Sequence, residues 1–154
     1  MAPGGPPVSG DLIVRPLEQA DVPSVVGLYE EAGLGGSEVS GAPEQEVLSK
    51  VERDPDLFLV GEVHGEVVAT VMGTWDGHRG RIKRLAVRGD LRRAGYGRRM
   101  VAELERRFAE RGITQLRLEV WAHNSGGLAF WEQMGYVLEP EIRYFVRSLV
   151  DGPD

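Results

Sequence analysis

The densest chemistry in the sequence lies in Arg92-Arg93-Ala94-Gly95-Tyr96-Gly97-Arg98-Arg99, a few residues after the short apolar run Leu85-Ala86-Val87. A strand that turns into a helix through glycines exposes backbone N–H groups at the helix N-terminus, where the helix dipole favours a phosphate. A side chain at Gly95 or Gly97 would block close approach of that phosphate to the backbone. Arg92, Arg93 and Arg98 can add charge-assisted donors. A dinucleotide fingerprint would need a third glycine where Met100 stands. A Walker loop would need Gly-Lys-Ser/Thr, but Gly97 is followed by Arg98-Arg99. The segment reads as a phosphate cradle of another kind, or as a plain helix start with turn glycines.

Charge points the same way. The chain of 154 residues carries a formal net charge of −6, yet twelve of its 18 basic residues fall between Arg79 and Arg111, against four acids there. A basic segment on an acidic protein indicates a bound polyanion, either nucleic acid or a phosphorylated cofactor, unless it is only a solvated helix face. No interleaved aromatics or groove-reading motif accompany the arginines, so nucleic acid is not expected as a partner.

Other chemistries find no support. The chain has no cysteine, which removes thiolate nucleophiles, disulfides and cysteine-held metals. Its three histidines, His64, His78 and His123, lack paired ligand spacing, so no metal is expected. There is no Gly-x-Ser-x-Gly serine-hydrolase motif. No apolar run approaches the roughly 20 residues that cross a bilayer. Residues 1–10, MAPGGPPVSG, lack a secretory signal's basic start and apolar stretch, and read as a disordered tail on a cytoplasmic protein with no membrane partner.

The elements that must hold the loop are legible from periodicity. With 42% apolar residues the chain can bury one domain's core, placed over residues 11–150. Leu12 to Arg15 is a short strand. Asp21 and Pro23 open a helix that ends near Gly33. Gly35 to Pro43 is loop, and Glu44 to Arg53 a weaker helix. Leu57 to Val63 and Glu66 to Trp75 are strands joined by a His64-Gly65 hairpin. After the turn Asp76-Gly77-His78-Arg79-Gly80 comes the strand Arg81 to Val87. Met100, Val101, Leu104 and Phe108 recur at helical spacing, so Gly95 to Arg111 is a helix. Leu116, Leu118 and Val120 alternate as a strand, and Ser125 to Met134 is a short helix behind Asn124. Two last strands are expected at Tyr136 to Glu139 and Ile142 to Leu149. The fold class is α/β (α+β), one domain with a mixed sheet.

Arg92 to Gly97 fits the Arg/Gln-x-x-Gly-x-Gly/Ala signature of the GNAT superfamily of N-acetyltransferases. The later Leu118-Glu119-Val120, Asn124 and Gly135-Tyr136 resemble the rest of that domain's second half. The order of the preceding strand, helices and hairpin is also similar. The stretch from Phe58 through Gly80 resembles small bacterial members of undefined substrate. This resemblance covers about residues 11–149. It implies a mixed, mostly antiparallel sheet of six to seven strands flanked by about four helices. It also implies acetyl-CoA as co-substrate, transfer of its acetyl group to a primary amine by direct attack in a ternary complex, and a homodimer of the kind relatives often form.

The resemblance assigns roles by position. Leu85, Ala86 and Val87 would pair with pantetheine in a gap between the fourth and fifth strands, and the Val87 N–H would polarise the thioester carbonyl. Arg92, Arg93, Ala94, Gly95, Tyr96, Gly97 and Arg98 would hold the pyrophosphate. Glu119 stands where some relatives carry a catalytic glutamate. A base is needed because an alkylammonium of pKa about 10 is only ~0.1% free amine near neutral pH. Glu119 is either that base or a strand residue paired with an arginine. Asn124 contacts cofactor in relatives, or serves as a helix N-cap. Trp131 departs from the family, which commonly has a tyrosine there to protonate the leaving thiolate. Its spacing with Leu128 and Met134 suits packing. That departure keeps open an alternative, a GNAT-fold module that binds CoA with weak or no turnover. Asp76 and His78 either shape their turn or border the acceptor pocket.

Overall fold

The computed structural model describes residues 11–34, 43–53, 55–92 and 94–149. The N-terminal tail, the 35–42 segment and Arg93 lie outside these residues. The elements run β1 (Ile13–Pro16), α1 (Val22–Glu31), α2 (Pro43–Arg53), β2 (Phe58–Val63), β3 (Glu66–Trp75), β4 (Gly80–Val87), α3 (Tyr96–Glu110), β5 (Leu116–Arg117) and α4 (Ser125–Gln133). The sheet order is β1-β2-β3-β4-β5. Pairings are antiparallel up to β4, and β5 joins β4 in parallel.

Local chemistry explains the main elements. The β2–β3 hairpin turns at His64 and Gly65, with φ of 52° and 81°, the paired positive values that match the twist of the flanking strands. α1 starts behind Asp21 with proline in its first turn. α3 buries Met100, Val101, Leu104 and Phe108 on one stripe, as the helical spacing predicts. It lies close on the sheet because Gly73 and Gly80 leave room for Phe108. A β-carbon at either would come within 2.7 and 2.9 Å of that ring.

Each face of the sheet has its own core. Leu59, Val71, Ile82, Met100, Leu104 and Phe108 belong to the α3 side, joined by half-buried residues of α4. Val25, Tyr29, Val47, Phe58, Val60, Met72 and Ala86 belong to the α1–α2 side.

β4 is not a regular strand. Its register with β3 slips between Thr70 and Met72: Met72 faces Lys83, whereas Thr70 faces Ala86. Arg84 absorbs the extra residue with φ of 52°. Glu46 of α2 receives both bulge cations, at 3.1 Å from Lys83 Nζ and 2.8 Å from Arg84 Nε. Arg84 also donates to the Leu34 carbonyl at 2.8 Å and sits 5.4 Å above the Tyr29 ring. These contacts offset the cost of a left-handed non-glycine residue.

The sheet is smaller than the sequence leads one to expect, with five strands rather than six to seven. β5 pairs only through Leu116 and Arg117, and 136–139 and 142–149 form no strands. A period-two pattern makes a strand only where a neighbour offers a ladder. A two-residue β5 offers almost none, and Val137, Ile142, Phe145 and Leu149 are left exposed.

Candidate functional site

The short β5 creates the site's main feature. β4 and β5 pair at Gly80↔Leu116 and Arg81↔Arg117 and then part, so the edge of β4 from Ile82 to Val87 has no ladder partner on that side among the described residues. Arg88 N donates to Val68 O at 2.8 Å, and Ala86 stands opposite Thr70. Antiparallel alternation therefore turns the N–H and C=O of Val87 and Leu85 away from β3, into the gap. Ala86 bonds to β3 and holds the strand in place, with its methyl in the α1–α2 core. These are open polar groups beside an apolar lining.

At the wide end of the gap stands the N-terminus of α3. Gly95 is its N-cap, with φ of 85° and no side-chain cap, so the first-turn N–H groups receive nothing from the capping residue. A β-carbon on Gly97 would meet the Phe130 ring at 3.5 Å and Leu85 Cδ2 at 3.8 Å, ordinary contacts, so the protein's own packing does not demand a glycine there. Ala94 is half-buried. Tyr96 is buried, its hydroxyl without a partner among the described residues, so only its backbone can serve an anion.

The arginine cluster divides into two groups. Arg81, Arg84, Arg88, Arg106, Arg107 and Arg111 are committed to carboxylates. Arg92 and Arg98, flanking the glycines, are exposed and enter no ion pair among the described residues.

At the narrow end, where the strands part, Arg81 Nη2 contacts Glu119 Oε2. Leu116 and Leu118 turn toward the α3 core, and Glu119 is exposed. Burial pulls the Arg81 guanidinium pKa down, but the Glu119 carboxylate and the Tyr144 side chain leave it raised overall.

The remaining sequence candidates are placed as follows. Asn124 caps α4, its Oδ1 accepting from Gly127 N at 2.9 Å. Trp131 is half-buried and meets Phe130 and Tyr136 edge-to-face, with centroids 5.0 and 5.1 Å apart. Asp76 Oδ1 accepts from His78 N and Arg79 N at 2.8 Å, which shapes the turn at the start of β4. Among the described residues no group of three metal-ligating side chains occurs, and no helix is long and apolar enough to cross a membrane. Sequence reasoning missed Arg81, because its partner is set by the β4–β5 register rather than by local spacing.

The acetyltransferase (GNAT) family model matches residues 24–136. An acetyltransferase of Yersinia enterocolitica is 33% identical over 138 residues, which is 90% of this chain and 96% of that protein. One of Sodalis glossinidius is 32% identical, covering 92% and 98%. Among solved structures, Ard1 of Thermoplasma volcanium has a TM-score of 0.73 at 23% identity, covering 84% of each chain. The PaiA N-acetyltransferase of Thermoplasma acidophilum, in complex with coenzyme A, has 0.74 at 19% identity, covering 83% of this chain and 91% of that one. The gap, the glycine-led helix and these likenesses agree: the chain belongs to the GNAT acetyltransferase family.

Proposed function

We propose that the protein transfers the acetyl group of acetyl-CoA to a primary amine by direct attack in a ternary complex. The observation that carries this reading is the open β4 edge leading to a glycine-led α3 N-terminus flanked by two exposed arginines that enter no ion pair among the described residues. An extended amide-bearing arm ending in a pyrophosphate complements that surface group by group. Leu85 and Val87 would bond the pantetheine amides, and the Val87 N–H would face the thioester carbonyl. The first-turn N–H groups of α3, with Arg92, Arg93 and Arg98, would hold the pyrophosphate. The coenzyme A complex of the structurally similar PaiA protein is in keeping with this assignment.

Glu119, at the narrow end of the gap, is the group we assign to take the proton from the amine, directly or through water. Asn124 can turn its Nδ2 to the cofactor while its Oδ1 caps α4. Binding without turnover was suggested by Trp131 alone, and the packed geometry of that indole does not favour it.

The test is CoA release from acetyl-CoA with a panel of amines: a peptide with a free N-terminus, a lysine-containing peptide blocked at its N-terminus, spermidine and benzylamine. Release that depends on one of these amines is the expected result. Binding of acetyl-CoA with no release across the panel would return the binding-module reading.

A further inference from the structure

Arg81 and Arg117 are register partners in the parallel pairing of β4 with β5, so their side chains leave the sheet on the same face. That face is the α1–α2 side. Met72, which stands opposite Lys83, belongs to the α1–α2 core, and Arg81 follows Lys83 at a spacing of two. Leu116 and Leu118 turn toward the α3 core, which leaves Arg117 and Glu119 on the face of Arg81.

Two guanidinium groups thus project side by side from neighbouring strands, and like charges so placed repel. The charges around them do not balance. Glu119 contacts Arg81, and Glu46 takes Lys83 and Arg84. Arg117 is exposed and enters no ion pair among the described residues. The face that carries the proposed base therefore keeps one surplus cation, beside the point where the strands part. An anion on Arg117 would offset the repulsion from Arg81. The distance also limits what that anion belongs to. Arg117 and Glu119 are two residues apart on one strand face, roughly 6–7 Å, which one small molecule can span.

On the acetyltransferase reading above, we infer that the amine acceptor carries a carboxylate a few bonds from its amine, and that Arg117 is the residue that receives it. With the amine at Glu119, the acceptor's carboxylate lies over the Arg117 guanidinium, whose planar fork offers two parallel N–H donors. Arg81 stays with Glu119, so each arginine faces one carboxylate and the face becomes balanced only when acceptor is bound. An acceptor with a second cation in place of the carboxylate meets repulsion at Arg117 and is selected against.

The experiment uses the full chain, acetyl-CoA, and benzylamine with its para-carboxylate, para-carboxamide and para-aminomethyl derivatives. Wild type should use the carboxylate with kcat/KM about 10-fold or more above the carboxamide of the same shape. Arg117→Gln should raise KM for the carboxylate by about 10-fold, with kcat and the carboxamide kinetics near wild type. Its thermal stability should equal or exceed that of wild type, since the repulsion from Arg81 is gone. Arg117→Glu should turn the preference toward the para-aminomethyl compound. An active wild type that uses carboxylate and carboxamide equally, or only amines without an anionic group, overturns the substrate class. A carboxylate preference that survives Arg117→Gln overturns the assignment to Arg117. A wild type inert with these amines and the earlier panel overturns the acetyltransferase reading and this inference with it.

Discussion

Arg15 and Asp21 meet in a two-pronged ion pair, Nη1 to Oδ2 at 2.8 Å and Nη2 to Oδ1 at 2.9 Å, which fixes the entry of α1 against β1. Asp21 also accepts from the Glu18 backbone N–H at 2.8 Å and is buried. The guanidinium is the chief cause that lowers the Asp21 pKa from its ordinary 3.8, with burial opposing it.

The sign of the pH effect follows. A carboxyl depressed in the folded state contributes stability that is present above its unfolded value, about 3.9, and lost as pH falls through the lower folded value. Asp21→Asn keeps the shape without the charge and should cost about 2 kcal/mol at pH 7. Urea unfolding at stepped pH should show wild type and variant converging below pH 4. Parallel curves would mean that Asp21 ionisation is not linked to folding.

The bulge at Arg84 offers a second test, because strain and contact act on one residue there. Arg84→Ala should cost about 3 kcal/mol by leaving Glu46 with less neutralisation in a largely buried setting. Arg84→Gly loses the same contacts but relieves the left-handed strain, and should be about 1 kcal/mol less destabilised than the alanine variant. Chemical denaturation of the pair measures that difference directly. Equal losses would place the cost entirely in the ion pair.

The cofactor reading is tested at Gly95. Wild type should gain about 2.7 kcal/mol of stability with acetyl-CoA at 100 times its dissociation constant. Gly95→Val should still fold, though weakened by about 1–2 kcal/mol because its φ is 85°. It should lose the acetyl-CoA-dependent gain in a thermal shift assay. A full ligand shift in the variant would remove the α3 N-terminus from the cofactor site.

These positions show what was readable in the chain and what was not. α3 was legible because Met100, Val101, Leu104 and Phe108 repeat at one period over about two turns. The His64-Gly65 hairpin was legible because its turn chemistry is local. Arg84 gave no signal, since the bulge uses an arginine where a glycine would have marked it. The last strands were misread because Ile142 to Leu149 alternates as a strand would, while pairing depends on an edge that β5 does not extend. Within the site, the glycine loop was visible in sequence. The Arg81–Glu119 contact was not, because it joins two segments that only the β4–β5 register brings together.

Glu119 carries the prediction most exposed to failure in the site. Glu119→Gln keeps the size and the contact with Arg81 but cannot take a proton. Turnover should fall by roughly 10²–10⁴ with acetyl-CoA affinity near wild type. The loss to stability should stay within about 1 kcal/mol, since both side chains are partly solvent-exposed. An unchanged pH–rate profile would move the base to water or another carboxylate.

Trp131 decides between packing and chemistry at a position where the family resemblance leads one to expect a tyrosine. Its ring is wedged edge-on between Phe130 and Tyr136, on the α3 side of the sheet, whereas Glu119 is exposed and tied to Arg81. Packing is then its main work. Trp131→Ala should cost about 2 kcal/mol, below the 3–5 of a fully enclosed ring, because the indole is only half-buried. Trp131→Tyr keeps an aromatic wedge and should hold turnover near wild type, or raise it if the new hydroxyl reaches the thiol. Steady-state CoA release, read beside thermal stability and acetyl-CoA affinity, separates the outcomes. If Trp131→Tyr loses turnover while stability and affinity hold, the indole itself touches the acceptor. If an inert wild type gains turnover through Trp131→Tyr, the missing hydroxyl is what had silenced it.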